Sequence, residues 1–136
     1  MIYLLDTTAI SDWMNENPSL DSHMAGLLPT DQVVICPIVR GEVLFGIARM
    51  PSGKNRQRLE TRSNLALKVF PCEPTPENAG DFYAKIRLDQ ELKGLSLSAN
   101  DLWIAATTLS LGATLVSRDA DYGRIDGFPV EDWSKV

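Results

Sequence analysis

An α/β fold, with a mostly parallel central sheet flanked by helices, is what the order of residues in this chain predicts. Two observations carry that expectation. Short apolar runs, "IYLL", "VVIC" and "ATLVS", have the length of strands and the branched aliphatic content of strands buried on both faces. Longer stretches with helical spacing lie between them, and strands alternating with helices build parallel βαβ units. At 136 residues the chain suits one domain with a single sizeable core, so residues 1–136 are taken as one unit.

The elements follow in order. Residues 2–5 are a buried strand, and Thr7 or Thr8 is placed to cap a helix running to about Met14. After a turn at Asn15 to Pro18, residues 19–28 are helical, and 33–36 form a second strand stopped by Pro37. Residues 38–50 carry apolar groups at Val39, Val43 and Met50, with Gly46 on the same spacing, and "PSGKN" ends that helix. A charged helix over about 54–67 leads into a strand near 68–71. "TPENA" reads as a helix start with Thr75 as cap and Pro76 first inside, the helix running to about Lys93 before Gly94. Residues 99–111 form an almost wholly apolar, hence buried, helix that Gly112 stops. Residues 113–117 are a strand, 119–124 a short helix, and Val130 begins a last edge strand.

Composition narrows the setting. A hydrophobic content of 44% fits a globular chain, and no apolar run reaches the roughly 18 residues of a membrane span. No basic leader with a cleavage site opens the chain, so a cytoplasmic protein without a membrane partner is expected. Cys36 and Cys72, each near the end of an apolar run, are expected to be buried free thiols. The net charge of −5 argues against a nucleic-acid partner, but the charge is uneven. Seven basic residues and two acids between Arg40 and Lys68 give that window +5 and leave −10 elsewhere. The window is either a phosphate-attracting surface or a solvated helix face.

The acids stand where ligands bind in such sheets, at the carboxyl ends of strands. Asp6 follows the first strand, and Asp119 and Asp121 follow "ATLVS". Glu42 is early in the helix after the second strand, and Asp101 heads the apolar helix. Each has a structural alternative. Ser98 to Asp101 matches a capping box in outline, and Asp6 and Asp119 are both suited to cap helices. Glu42 is harder to explain in an apolar helix, and the two glycines of that helix, Gly41 and Gly46, would make sense if backbone or metal approached there. Together the acids say more. Two carboxylates ~4 Å apart repel by about 4 kcal/mol at an effective dielectric near 20, which a cation or a shared proton must relieve. All-oxygen donors favour a hard ion, Mg²⁺ or Mn²⁺, and such an ion beside phosphate points to phosphodiester hydrolysis by metal-activated water. The single histidine, His23, is remote in sequence from every acid, which disfavours histidine-based hydrolysis.

"YLLDTTAIS", "RGEVLFGIARM", "LSANDLWIAATTLSLGATLVSRDADY" and "DGFPVEDW" resemble, nearly end to end, the PIN-domain family, and within it the VapC-type toxins of bacterial toxin–antitoxin pairs. The resemblance implies a PIN-like three-layer fold and a Mg²⁺- or Mn²⁺-dependent endoribonuclease, usually a homodimer, held inactive by a cognate antitoxin. It implies that Asp6, Glu42, Asp101 and Asp119 form an acidic quartet, with Asp6, Asp101 and Asp119 on the metal. Thr7 and Ser117 match supporting hydroxyl positions, with Ser standing where the family often has Thr. Asp121 matches an auxiliary acid of some members. RNA, with tRNA as the favoured class, would be the substrate. Two rival readings remain at this point: a non-catalytic module that holds a cation or partner on the same scaffold, and an aspartyl phosphatase with Asp6 as nucleophile. Thr8 stands where the second aspartate of the haloacid-dehalogenase pattern belongs, which disfavours the latter.

Overall fold

The computed structural model describes residues 1–136. Four strands, β1 (Ile2–Leu5), β2 (Gln32–Val34), β3 (Thr114–Val116) and β4 (Val130–Glu131), form one sheet in the order β2-β1-β3-β4. Every pairing is parallel, with Tyr3 opposite Val33 on one side and Thr114 on the other. Leu4, Leu5, Leu115 and Val116 are buried, as expected of parallel strands covered on both faces.

Seven helices cover the sheet: α1 (Thr7–Met14), α2 (Pro18–Ala25), α3 (Pro37–Ala48), α4 (Lys54–Val69), α5 (Ala79–Leu92), α6 (Ala99–Ser110) and a short 3₁₀ turn, α7 (Ala120–Arg124). The apolar helix α6 buries Leu102, Ile104, Ala105, Ala106, Thr107 and Thr108. The two threonines satisfy their hydroxyls on the carbonyls of Trp103 and Ile104, so neither leaves a polar group stranded. Gly112, at φ +63°, adopts the left-handed turn that ends this helix and starts β3. No helix is long and apolar enough to cross a membrane.

Several expectations from sequence need correction. The strand placed near 68–71 is absent. Helix α4 continues to Val69 because Ala66 and Phe70, four residues apart, both reach the core. Only a single parallel bridge, Ile35 to Cys72, follows it. Cys36 is buried but Cys72 is exposed, since the chain there runs along the open edge beside β2; both thiols are free. Neither Thr7 nor Thr8 caps α1; Asp6 does, accepting the Ala9 N–H at 2.9 Å. Helix α5 starts at Ala79 rather than beside Pro76, because Pro76 to Asn78 first wind as a turn whose carbonyls take the Ala79 and Gly80 N–H groups. Gly41 and Gly46 are not sites of close approach: a side-chain carbon added at either would meet nothing within 4 Å.

Candidate active site

The carboxyl ends of β1 and β3 lie side by side, and the Asp6 N–H reaches the Val116 carbonyl at 3.1 Å. That pairing brings residues from opposite ends of the chain to one rim. Asp6 is only 3% exposed. Its Oδ2 accepts the Ser117 hydroxyl at 2.5 Å, and its Oδ1 accepts the Thr8 hydroxyl at 2.7 Å together with the Ala9 N–H. Ser117 is itself buried and also accepts the Asp119 N–H at 3.0 Å. The Thr8 hydroxyl accepts the Arg118 N–H at 3.2 Å. These two hydroxyls therefore sew the β1–α1 and β3–α7 corners together.

Asp101 enters from the first turn of α6, where Ser98 caps the helix by accepting the Asp101 N–H at 3.1 Å. The capping alternative for this stretch is thus realised in part, by Ser98 and the Asp101 backbone. The Asp101 carboxylate remains free for other work and accepts the Tyr122 phenol at 3.1 Å. Glu42, in the second turn of α3, accepts the Thr7 hydroxyl at 2.5 Å on Oε1 and the Asn100 amide at 3.3 Å on Oε2. Asp119 caps α7 by accepting the Asp121 N–H at 2.9 Å. Asp121 behaves differently: its carboxylate pairs with Arg124 at 3.3 Å.

The electrostatics show which acids feel one another. Burial raises the pKa of Asp6, opposed by the hydrogen bonds from Ser117, Thr8 and Ala9, and the charge of Asp101 adds to the rise. Burial likewise raises that of Asp101, opposed by bonds from Tyr122 and Ser98, while the charges of Asp119 and Glu42 push it further up. Tyr122 is driven far above its ordinary range, first by burial and then by the carboxylates of Asp101, Asp6 and Asp119. No lysine, arginine or histidine forms an ion pair with Asp6, Glu42, Asp101 or Asp119. The four acids expected from sequence thus share one electrostatic neighbourhood whose hydrogen bonds come from neutral donors. No three of them are already drawn into a metal-ligating group, so a bound ion would have to draw the carboxylates inward. The donor chemistry nevertheless suits a hard divalent ion, which would offset the uncompensated charge.

Thr8, Asn100 and Tyr122 were not among the candidate site residues. Asn100 had a readable signal, a polar side chain beside Asp101 in the same first turn. Tyr122 had a weaker one, an aromatic with a polar tip three residues after Asp119. His23 is exposed, stacked on Trp133 at 5.7 Å, and outside this site. A groove of about 210 Å³ opens beside Thr7 and Glu42, lined by Ile10, Met14, Val43 and Ile47 of α1 and α3. Leu44 and Phe45 stay exposed on α3, whereas Ile47 turns inward.

Residues 3–128 match the PIN domain family. The chain is 31% identical to ribonuclease VapC1 of Haemophilus influenzae, over 99% of this chain and 100% of that protein. It is 27% identical to ribonuclease VapC2 of Rickettsia felis, again over 99% and 100%. Among solved structures, it superposes with a TM-score of 0.86 on a chain of VapBC2 from Rickettsia felis bound to a DNA fragment from their promoter, at 26% identity, covering 98% of this chain and 99% of that one. VapBC-1 from nontypeable Haemophilus influenzae gives the same TM-score of 0.86 at 28% identity, over 99% and 100%. With the acids gathered where that fold gathers its strand ends, the chain belongs to the PIN domain family.

Proposed function

We propose that this chain is a ribonuclease toxin of the VapC kind, which uses Mg²⁺ or Mn²⁺ to hydrolyse RNA and is held inactive by a cognate antitoxin. The observation that carries the reading is the uncompensated acidic rim, Asp6, Glu42, Asp101 and Asp119, in a chain similar along 99% of its length to named ribonucleases. Asp6, Asp101 and Asp119 are the residues to hold the ion. When bound, the ion would offset their charge, acidify a ligated water and stabilise charge developing on the phosphate.

The chain's own residues do the rest. Ser117 and Thr8 hold Asp6 in one orientation, and Thr7 and Asn100 fix both oxygens of Glu42. Preorganised groups of this kind need no rearrangement as charge develops. Water attacking phosphorus gives up a proton to the acidic rim and displaces the 3′ oxygen, which takes a proton from solvent. The ends produced are a 5′-phosphate and a 3′-hydroxyl. Arg40, Lys54 and Lys68 form no ion pair of their own, which supports a role for the basic segment in drawing RNA to the rim.

The groove beside Glu42, with exposed Phe45 and Leu44 on the same helix, is the surface proposed for the antitoxin. An apolar segment seated there, with an arginine reaching the carboxylates, would meet both the apolar walls and the acids. Phe45→Asp should weaken antitoxin capture in a pull-down while circular dichroism stays unchanged; equal capture would discard this surface. A homodimer is the proposed assembly, supported by Leu88 and Leu92, exposed four residues apart on α5.

The decisive experiment is RNA cleavage by the purified chain with Mg²⁺ or Mn²⁺, with and without chelator, and sequencing of the ends. Cleavage that survives chelation would overturn the mechanism. Ion binding without cleavage of any RNA would leave the scaffold as a binding module.

A further inference from the structure

Tyr122 is among the largest fully buried side chains in the molecule, at 1% exposure. Its ring stacks on Phe128 at 5.8 Å, and its carbonyl accepts the Ile125 N–H, so ring and backbone are both fixed. A phenylalanine would fill this place without burying a hydroxyl. The hydroxyl's one hydrogen bond goes to Asp101 Oδ1, at 3.1 Å. Burying a phenol is unfavourable unless its donor is satisfied, and here only an acid of the rim satisfies it.

We propose that Tyr122 is a positioning residue for the nuclease site: its phenol pins one oxygen of Asp101 and leaves the other to hold the divalent ion. This rests on the reading of the rim as an ion site. Asp101 needs such a brace more than Asp6 does. Two hydroxyls and a backbone N–H hold Asp6, whereas Asp101 projects from the first turn of a helix toward carboxylates that repel it. A rigid donor keeps the carboxylate aimed, which is how outer partners of metal ligands commonly act.

Isothermal titration with Mn²⁺ tests this without relying on catalysis. Wild type should bind, Y122F should bind about tenfold more weakly, and D101N more weakly still. Because Tyr122 acts through Asp101, Y122F should add nothing in the D101N background. Y122F that binds like wild type, or that weakens D101N by a further tenfold, overturns the role. A wild type that binds no Mn²⁺ overturns the ion site itself and this role with it. Should Y122F fail to fold, 3-fluorotyrosine in the otherwise native chain replaces it. The chain has three tyrosines, and Y3F and Y83F assign the signals. Mg²⁺ should shift the Tyr122 fluorine resonance in wild type and not in D101N, and an unmoved resonance in wild type overturns the proposal.

Discussion

Two charged regions of this molecule treat their charges in opposite ways. On α4 the arginines are consumed by the fold. Arg62 lies 4.7 Å over the Trp13 ring and donates to the Trp13 and Met14 carbonyls at the end of α1. Arg56 pairs with Glu60 at 2.7 Å and donates to the Met50 carbonyl, and Arg58 reaches Asn15. At the sheet rim, four acids have hydroxyls, amides and a phenol for partners but no cation. Charge that a protein satisfies internally is structural. Charge that it gathers without a counter-ion is what the proposed divalent ion would meet.

The comparison can be broken by substitution on either side. The largest expected effect is at the rim: Asp101→Asn should cut RNA cleavage by about two orders of magnitude or more, measured as kcat/KM on a fluorogenic RNA. Retention of even a tenth of the activity would remove Asp101 from the site. On the α4 side, Arg62→Ala should destabilise the fold by about 2 kcal/mol, through the lost stack and two charge-assisted hydrogen bonds, while per-molecule activity persists. Urea melts read the first quantity, and a large activity loss in fully folded protein would contradict the division.

A smaller effect with the opposite sign sharpens the contrast. Asp6 and Asp101 have raised pKa values in the folded chain, so the folded state holds their protons more tightly than the unfolded one. Stability of the ion-free protein should therefore fall as pH rises from the unfolded carboxylate value, about 3.9 for aspartate, through the raised folded values. Asp6→Asn should abolish activity yet stabilise the ion-free protein at pH 7.5 by about 1–2 kcal/mol: the amide escapes the cost of a buried charge and then the repulsion of Asp101, which outweighs the altered bond to Ser117, while asparagine caps α1 equally well. Denaturant melts in chelator decide this, and a neutral or destabilising result would sink the idea of crowded carboxylates. Mg²⁺ should raise wild-type stability under the same conditions by binding only the folded site. The smallest effect is expected at Arg58, whose replacement by alanine should change stability by no more than about 0.5 kcal/mol, since its partners are exposed asparagines.

Much of this was legible in the sequence, for reasons that differ by residue. The strands and the positions of Asp6, Glu42, Asp101 and Asp119 could be read because short aliphatic runs end at acids, and parallel sheets gather strand ends at one rim. The false strand at 68–71 arose because an apolar run of three or four residues looks alike in a strand and in the last turn of a helix. Only the packing of Ala66 and Phe70 on one face decides it. The exposure of Cys72 escaped for another reason, being set by its place at the sheet edge and not by its sequence neighbours. Gly41 and Gly46 suggested a close approach that the open space beside them refutes. Asn100 and Tyr122 escaped because each acts across the fold, on residues 58 and 21 positions away.

The Ser117 to Asp6 bond spans 111 residues, and β1 needs β3 beside it before that bond can form. During synthesis, β1 emerges first and can pair early with β2, but its second neighbour, β3, is among the last elements made. A nascent chain that stops short of Thr114 carries Asp6, Glu42 and Asp101 yet lacks both Asp119 and the strand that sets it beside Asp6. The cutting site should thus be assembled only when translation is almost finished, which would shield a ribosome from the nuclease it is still making. Arrested chains ending before Thr114 should leave RNA intact where the full chain cleaves it.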